Sequence, residues 1–323
     1  MSDAQQRKAA LAHTFSLVAE EYDARNGGFF NPVGARLVTL ARPAPGQRVL
    51  DLGCGRGAVL FPAAEAVGPG GAAVGIDLAP GMVRRTAADA AARGLPQIRV
   101  ALGDAERPAF PDGSFDLVLS SFAVIHTPDP AAAVAAAHRL LAPGGRFGYT
   151  AFGPDRDERW AEPTARLAAF AAGPERARGR LRAAALNRLA GDPAAAADLL
   201  AEAGFTEVRS TEHEAVSHYR DPQAWWDALW ASGRRSVLEA IPAERLPQAR
   251  RAAFAALAPL AGPDGLTRRT AIRYTLATRP ARGQAKGPKT GPTAPGAAAA
   301  SGPAGTAPSA PRPPAAPRAP RPR

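Results

Sequence analysis

The stretch from Val49 to Gly57, VLDLGCGRG, sets one acid and three alternate glycines at the end of a short apolar run. Val49, Leu50 and Leu52 form the run, Asp51 is the acid, and Gly53, Gly55 and Gly57 follow directly. An apolar strand that enters a glycine turn and then opens a helix is a loop for a nucleotide-containing cofactor. Glycine is needed there because the backbone must turn tightly and let a ligand approach with no Cβ in the way. A second acid, Asp77, lies 24 positions beyond Gly53. That is near the roughly 20 positions expected of an acid that grips a ribose.

Two ligands compete for this loop. Gly53-Cys54-Gly55-Arg56-Gly57-Ala58 satisfies the dinucleotide pattern G-x-G-x-x-(G/A). Asp51 argues against that ligand, because a carboxylate two residues before the first glycine would repel a pyrophosphate. A ligand carrying an ammonium and a sulfonium would be attracted instead, and S-adenosylmethionine is such a ligand, with a ribose left for Asp77. Cys54 is the one cysteine of the chain, which excludes an internal disulfide and any multi-cysteine metal site. Its place in the loop suggests a small tolerated side chain and no nucleophile. No carboxylate cluster stands out beyond the cofactor acids, so no metal is expected.

The elements that must position these residues are punctuated regularly between residues 48 and 151. Strands are expected at 48–52, 72–77, 98–102, 115–120 and 145–151. Pro80 opens a helix that Gly94 ends, and Asp129-Pro130 opens another that stops at Pro143-Gly144-Gly145. Strands alternating with helices imply a doubly wound, mostly parallel α/β sheet, here seven-stranded with an antiparallel edge strand and helical insertions. The glycine loop and Asp77 then fall at the carboxyl ends of adjacent strands, where open α/β sheets bind ligands. Residues 155–190 are rich in arginine and alanine and read as helix. Asp192-Pro193 caps a helix ended by Gly204, and a strand starting at 205–209 continues irregularly to Tyr219. Asp221-Pro222 caps a short helix containing Trp225, Trp226 and Trp230, and an alternating strand occupies 270–278. These two late strands are expected to pair antiparallel at the sheet edge.

Four segments follow from this pattern. Residues 1–45 form a helical arm without strand signal, 46–152 the cofactor-binding core, and 153–279 the second half of the sheet with helical insertions. Residues 280–323 form a tail of Pro, Ala, Gly, Arg and Lys with no acid. Such a tail cannot bury enough surface to offset its ordering entropy and is expected to be disordered. The chain of 323 residues carries a net charge of +11. Seven positive charges (Arg282, Lys286, Lys289, Arg312, Arg318, Arg321, Arg323) lie in the tail, leaving +4 for the rest. The folded part therefore has no pressing electrostatic reason to bind nucleic acid, beyond weak contacts by the tail. No run of about 18 apolar residues exists, and the N-terminus lacks the apolar region of a signal peptide. A soluble, cytoplasmic protein with no membrane insertion is expected, as a monomer or a homodimer.

With the residues laid out this way, the chain resembles the class I S-adenosylmethionine-dependent methyltransferases over roughly residues 14–278. The branch it is most similar to holds ubiquinone/menaquinone-biosynthesis and small-molecule natural-product enzymes. VLDLGCGRG looks like the family's first motif and GIDLAPGMV (75–83) like its second. GDAERPAFPDGSFDLVLSSFAVIH (103–126) is similar to the stretch leading into the fourth strand, and LAPGGRF (141–147) to the turn before the fifth. The resemblance implies a Rossmann-like methyltransferase fold with S-adenosyl-L-methionine as cofactor. It places Gly53, Cys54, Gly55 and Gly57 around the methionine end, with Asp51 near its ammonium. Asp77 takes the ribose, Leu78 and Met82 flank the adenine, and Asp104 accepts from the adenine amine beside Ala105. Ser120 joins this set at the exit of the fourth strand. AEEYD (19–23) resembles the N-terminal lid, in which Tyr22 closes over the cofactor. Each has a plainer reading: Met82 as core filler, Asp104 as a turn cap, Tyr22 as ordinary packing.

For the chemistry, the protein must align an acceptor opposite the sulfonium, exclude water and, where the acceptor needs it, take a proton. His126, just after the fourth strand, is the candidate base. Its competing reading is a loop histidine bonded to the backbone. Phe29, Phe30, Phe122, Phe152 and Trp160 are candidate linings of an apolar pocket for an aromatic, quinone-like or polyketide-type hydroxyl or carbon. The tryptophans 225, 226 and 230 read better as core. Two other functions stay open. A nucleic-acid or protein methyltransferase is one, although the strand-four exit Ser120-Ser121-Phe122-Ala123 lacks an Asn/Asp-Pro-Pro-aromatic run. A non-catalytic S-adenosylmethionine-binding protein, tethered by its basic tail, is the other.

Overall fold

The computed structural model of the chain describes residues 2–154, 157–171 and 189–281, together with Gly283. Much of the expected helix at 155–190 and almost all of the tail lie outside the described residues. Helix α1 (Asp3–Val18) starts with a reciprocal cap in which the Ser2 hydroxyl accepts from the Gln5 amide and the Gln5 side chain takes the Ser2 amide. A short α2 (Tyr22–Arg25) and α3 (Phe30–Ala41) complete the N-terminal arm. The core then runs β1 (Arg48–Leu52), α4 (Leu60–Val67), β2 (Ala72–Asp77), α5 (Pro80–Ala92), β3 (Ile98–Leu102) and β4 (Phe115–Ser121). It continues with α6 (Pro130–Leu140) and β5 (Leu141–Phe152). The second half holds α7 (Ala161–Phe170), α8 (Pro193–Glu202), β6 (Thr206–Tyr219), α9 (Pro222–Trp230) and α10 (Arg235–Glu239). Last come α11 (Leu246–Leu257), a two-residue β7 (Ala261–Gly262) and β8 (Gly265–Thr278).

The eight strands form one sheet in the order β3-β2-β1-β4-β5-β8-β6, with β7 paired to β8. The first five are mutually parallel, and β8 runs antiparallel to both β5 and β6. The chain winds outward from β1 to β3, then crosses back to β4 on the other side of β1. A crevice opens where the winding reverses, at the carboxyl ends of β1 and β4. Its walls are well packed: Leu50, Leu52, Leu117, Val118 and Leu119 are buried between α3, α4 and α6.

Three boundaries differ from the sequence pattern, each for a pairing reason. Helix α6 ends at Leu140, before Pro143, because Leu141 already pairs with Phe115. The Pro143-Gly144-Gly145 segment is a bulge inside β5, with Gly144 at φ 80°, after which Arg146 pairs with Leu117. Strand β8 begins at Gly265, five residues before its apolar alternation, since Leu266–Arg269 pair with the end of β6. The irregular start of β6 is real: the register shifts between Thr206 and Arg209, and Glu207 takes φ 53°.

A second core lies apart from the sheet. Trp225, Trp226, Leu229, Leu238, Ala249 and Leu257 are buried together with Trp160 and Leu167. The far ends of β6 and β8, Tyr219 and Leu266, reach into this cluster.

Candidate functional site

The chain leaves β1 through three glycines in the left-handed region: Gly53 (φ 72°), Gly55 (φ 49°) and Gly57 (φ 84°). The Gly53 and Cys54 amides both donate to the Ile76 carbonyl, at 2.8 and 2.9 Å, which pins the loop to the end of β2. A Cβ on Gly53 would lie 2.1 Å from Cβ of Ala123, and one on Gly57 would lie 2.4 Å from the Phe61 ring. A Cβ on Gly55 would meet nothing within 4 Å. Gly53 and Gly57 are thus required by packing, whereas Gly55 borders open space. The Thr86 hydroxyl, on α5, holds the Gly55 carbonyl at 2.6 Å.

Two acids face this loop, and they differ in their partners. Asp77 is well satisfied: one oxygen accepts the Gly55 amide at 2.9 Å and the other the Ala79 amide at 2.8 Å. Burial still raises its pKa, with those amides and that of Leu78 opposing. Asp51 is 1% exposed, and neither of its carboxylate oxygens accepts a hydrogen bond of ordinary geometry. Burial, then the neighbouring charge of Asp77, pushes its pKa up to about 8, weakly opposed by the Leu60 amide. An orphaned carboxylate costs a protein dearly unless a cation pays it back. The ammonium of a methionine moiety is such a cation, and a diphosphate is not. Cys54 is buried, and desolvation with both acids nearby raises its thiol pKa well above the ordinary range. That keeps it protonated and unreactive.

Just past β3, Asp104 is engaged on both oxygens. One accepts the Glu106 amide at 2.9 Å and the other pairs with Lys8 Nζ of α1 at 2.6 Å. Lys8 also pairs with Glu106. Met82 and Ala105 are buried and Leu78 is half-buried; Met82 packs with Val18, Ala19 and Ala79, and with Phe15 and Tyr22 of the arm. Ser120 is fully buried, donating to the Leu52 carbonyl at 2.8 Å and accepting the Val124 amide at 3.2 Å. Its hydroxyl ties β4 to β1, a structural duty rather than a free contact for a ligand.

The exit of β4 builds the opposite wall. Phe122 sits at φ 59°, a conformation that a bulky residue adopts only under constraint. The constraint is Thr150 on β5, whose buried hydroxyl accepts the Phe122 amide at 3.0 Å and meets the Ser121 hydroxyl at 3.1 Å. The turn presses Ala123 against Gly53 and throws the Phe122 ring among Phe152 (4.6 Å between centroids), Phe29 (5.6 Å) and Phe30 (6.0 Å). Tyr22 stacks on Phe30 at 4.7 Å. Phe152 is 41% exposed, so the cluster opens to solvent. His126 follows in a single 3-10 turn, its amide bonded to the Ala123 carbonyl at 2.9 Å. The residue reaches solvent, yet protein crowds its imidazole closely enough that desolvation lowers the pKa, which favours the neutral, proton-accepting form.

The methyltransferase domain family matches residues 49–145. The chain is 45% identical over 242 residues to nocamycin O-methyltransferase of Saccharothrix syringae, covering 72% of this chain and 85% of that protein. It is 47% identical over 143 residues to aklanonic acid methyltransferase DauC of Streptomyces sp. (strain C5), covering 44% of this chain and 65% of that one. The chain belongs to the class I S-adenosylmethionine-dependent methyltransferases. The crystal structure of the [4+2]-cyclase SpnF shares the fold of this methyltransferase, with a TM-score of 0.53 at 18% identity over 84% of this chain and 95% of that one. The orphaned carboxylate of Asp51 and the open flank of Gly55 fit the family's cofactor.

Four of the five aromatic residues read from the sequence as an acceptor lining come together. Trp160 does not join them: it is buried in the second core, with Arg268 over its ring at 5.7 Å. The methyltransferase also uses residues that no motif marked. Lys8 pairs with Asp104, Thr86 holds the Gly55 carbonyl and Thr150 accepts the Phe122 amide, and none of the three lies inside a recognisable motif. Among the described residues no group of three metal-ligating side chains occurs, and no helix is long and apolar enough to cross a membrane.

Proposed function

We propose that this methyltransferase acts on an oxygen of an aromatic, polyketide-type small molecule held against Phe29, Phe30, Phe122 and Phe152. The observation that carries the reading is the Phe122 turn, which packs the glycine loop through Ala123 and the phenylalanine wall through its ring. An acceptor lying on that wall would be beside the methionine end of the cofactor. The relatives named for nocamycin and aklanonic acid support a polyketide-type small-molecule acceptor.

Bound S-adenosylmethionine supplies a methyl group on a sulfonium leaving group. In this reading Asp51 holds the ammonium, Gly53 and Gly55 the backbone around the methionine end, and Asp77 the ribose hydroxyls. Met82 and Leu78 flank the adenine, and Asp104, beside Ala105, shares its carboxylate between Lys8 and the adenine amine. The arm from α1 to Tyr22 is the lid, shielding the reacting groups from water. The acceptor oxygen, lined up opposite the sulfur, needs only orientation, worth up to about 7–11 kcal/mol, and a place for its proton. His126, neutral and exposed at the rim, takes that proton and passes it to solvent.

The test is direct. The full-length chain is incubated with methyl-labelled cofactor and a panel of phenols, hydroxyquinones, an aromatic polyketide acid and amines, and products are read by mass. O-methylated aromatic product with S-adenosylhomocysteine is expected. Product from amines alone would replace the acceptor assignment, and tight cofactor binding with no product from any member would favour a non-catalytic binding protein.

A further inference from the structure

Arg56 is the one charged residue within the glycine run, and its side chain is only 8% exposed. It does not point at the acids of the site. One guanidinium nitrogen donates to the Ala19 carbonyl at 2.5 Å, and another pairs with Asp89 of α5 at 2.5 Å. Its Nε is buried with no partner. A buried guanidinium that leaves one donor unsatisfied would be better replaced if its sole task were to fasten the loop to α5. The Thr86 hydroxyl already performs that task through Gly55.

The Ala19 bond is the one that α5 cannot explain. Ala19 is the C-cap of α1, where the arm turns toward Tyr22, and a cation on the last carbonyls of a helix is favoured by the helix dipole. The same seam carries further contacts. The Gly81 amide donates to the Ser16 hydroxyl at 3.2 Å, and a Cβ on Gly81 would lie 2.6 Å from the Ser16 carbonyl oxygen. Arg85 pairs with Glu20 at 3.2 Å and reaches Asp89 at 3.7 Å. The Tyr22 ring, three residues past Ala19, contacts Phe15 edge-on at 6.1 Å and stacks on Phe30. The glycine loop is thus bonded directly to the turn that joins α1 to Tyr22.

We propose that Arg56 is a positioning residue that couples the cofactor loop to closure of the N-terminal arm, setting Tyr22 through the Ala19 carbonyl. This rests on reading α1 and α2 as a lid over S-adenosylmethionine. Cofactor seating fixes Gly55 and Gly57, which fixes Arg56 between them and its fork on Ala19 and Asp89. The arm then closes; with the loop unfilled, it is released more often.

Hydrogen exchange on the full-length protein, with and without S-adenosylhomocysteine, tests this over residues 3–25 and 48–52, alongside KM for the cofactor. Wild-type protein should show ligand-dependent protection of 3–25. In Arg56→Met that protection should vanish while β1 stays protected. KM for the cofactor should then rise about tenfold, as for loss of one charge-assisted hydrogen bond. Arg56→Lys, which keeps the charge but on a single nitrogen that cannot fork to both Ala19 and Asp89 in the same way, should fall between the two and serves if the methionine variant does not fold. Undiminished protection of 3–25 in both variants overturns the latch, as does a loss that spreads evenly into β1. Absence of ligand-dependent protection in the wild type itself overturns the lid reading and the latch with it.

Discussion

In the proposed assignment, the cofactor side and the acceptor side of this methyltransferase are built from different materials. On the cofactor side the glycine loop, the Ile76 carbonyl and the amides on Asp77 are main-chain groups, set by the ends of parallel strands. On the acceptor side, four phenylalanines from the arm, the β4 exit and the end of β5 meet through their rings. Main-chain recognition depends on turn geometry and tolerates little change, because all three glycines sit at positive φ and a Cβ on Gly53 or Gly57 would strike a neighbour. Ring-against-ring recognition can be re-cut by exchanging one side chain for another of similar size. The seam between them is the Phe122 turn.

Four substitutions would break or sharpen this contrast. The largest effect is expected at the seam: His126→Ala should lower turnover about 10²–10⁴-fold, with cofactor affinity by calorimetry unchanged. Turnover equal to wild type across the pH range would remove His126 as the base. Next, Asp51→Asn should weaken cofactor binding about 10²–10³-fold, the cost of stripping a buried ion of its partner. The same variant should stabilise the cofactor-free protein. With a folded pKa of about 8 against an ordinary value of 3.8, the unfolded chain ionises first, so stability falls as pH rises from about 4 to about 8. That slope, at most about 1.4 kcal/mol per pH unit, should flatten in the variant when melting is followed against pH. Wild-type binding of the cofactor should release close to one proton near neutral pH.

Trp225→Ala should cost about 3–5 kcal/mol in denaturant titration by opening the second core, yet leave cofactor affinity alone if the two cores are independent. The smallest effect is expected from Phe152→Ala on the exposed rim of the wall. KM for an aromatic acceptor should rise about two- to tenfold, the worth of an aromatic pair, with KM for the cofactor constant. A shift in cofactor KM instead would mean that the phenylalanine wall belongs to the cofactor.

The same contrast explains what was legible in the sequence. Strands β1, β2 and β3 begin and end where the apolar runs do, since their pattern is local and their boundaries are glycines and acids. The glycine loop was visible for the same reason. The partners of its side chains were not. Lys8 and Asp104 are 96 residues apart, and Arg56 and Ala19 are 37 apart, and no periodicity encodes a pair that meets only after folding. Ser120 looked like a cofactor contact because of its address at a strand exit, but its hydroxyl is consumed within the sheet. The left-handed Phe122 gave no warning, because a phenylalanine is the last residue that sequence reasoning assigns to φ above zero. Aromatic character alone groups Trp160 with the phenylalanines, and only packing separates a wall from a core. The first half of β8 was hidden because TRRT, on a ribbon outside the main sheet, has no apolar face to alternate.

That ribbon has an architectural implication. Strands β6 and β8 are 14 residues each, and β5 pairs with β8 only from Ile272 onward. Their outer halves therefore project like a cantilever, with the tryptophan-rich helices mounted at its tip. Redesign of acceptor preference is best attempted with splice points in the cantilever rather than in surface loops, so that a transplanted helical head arrives with its own anchoring strands. The glycine loop and its two acids, at the ends of β1 and β2, would then be inherited unaltered.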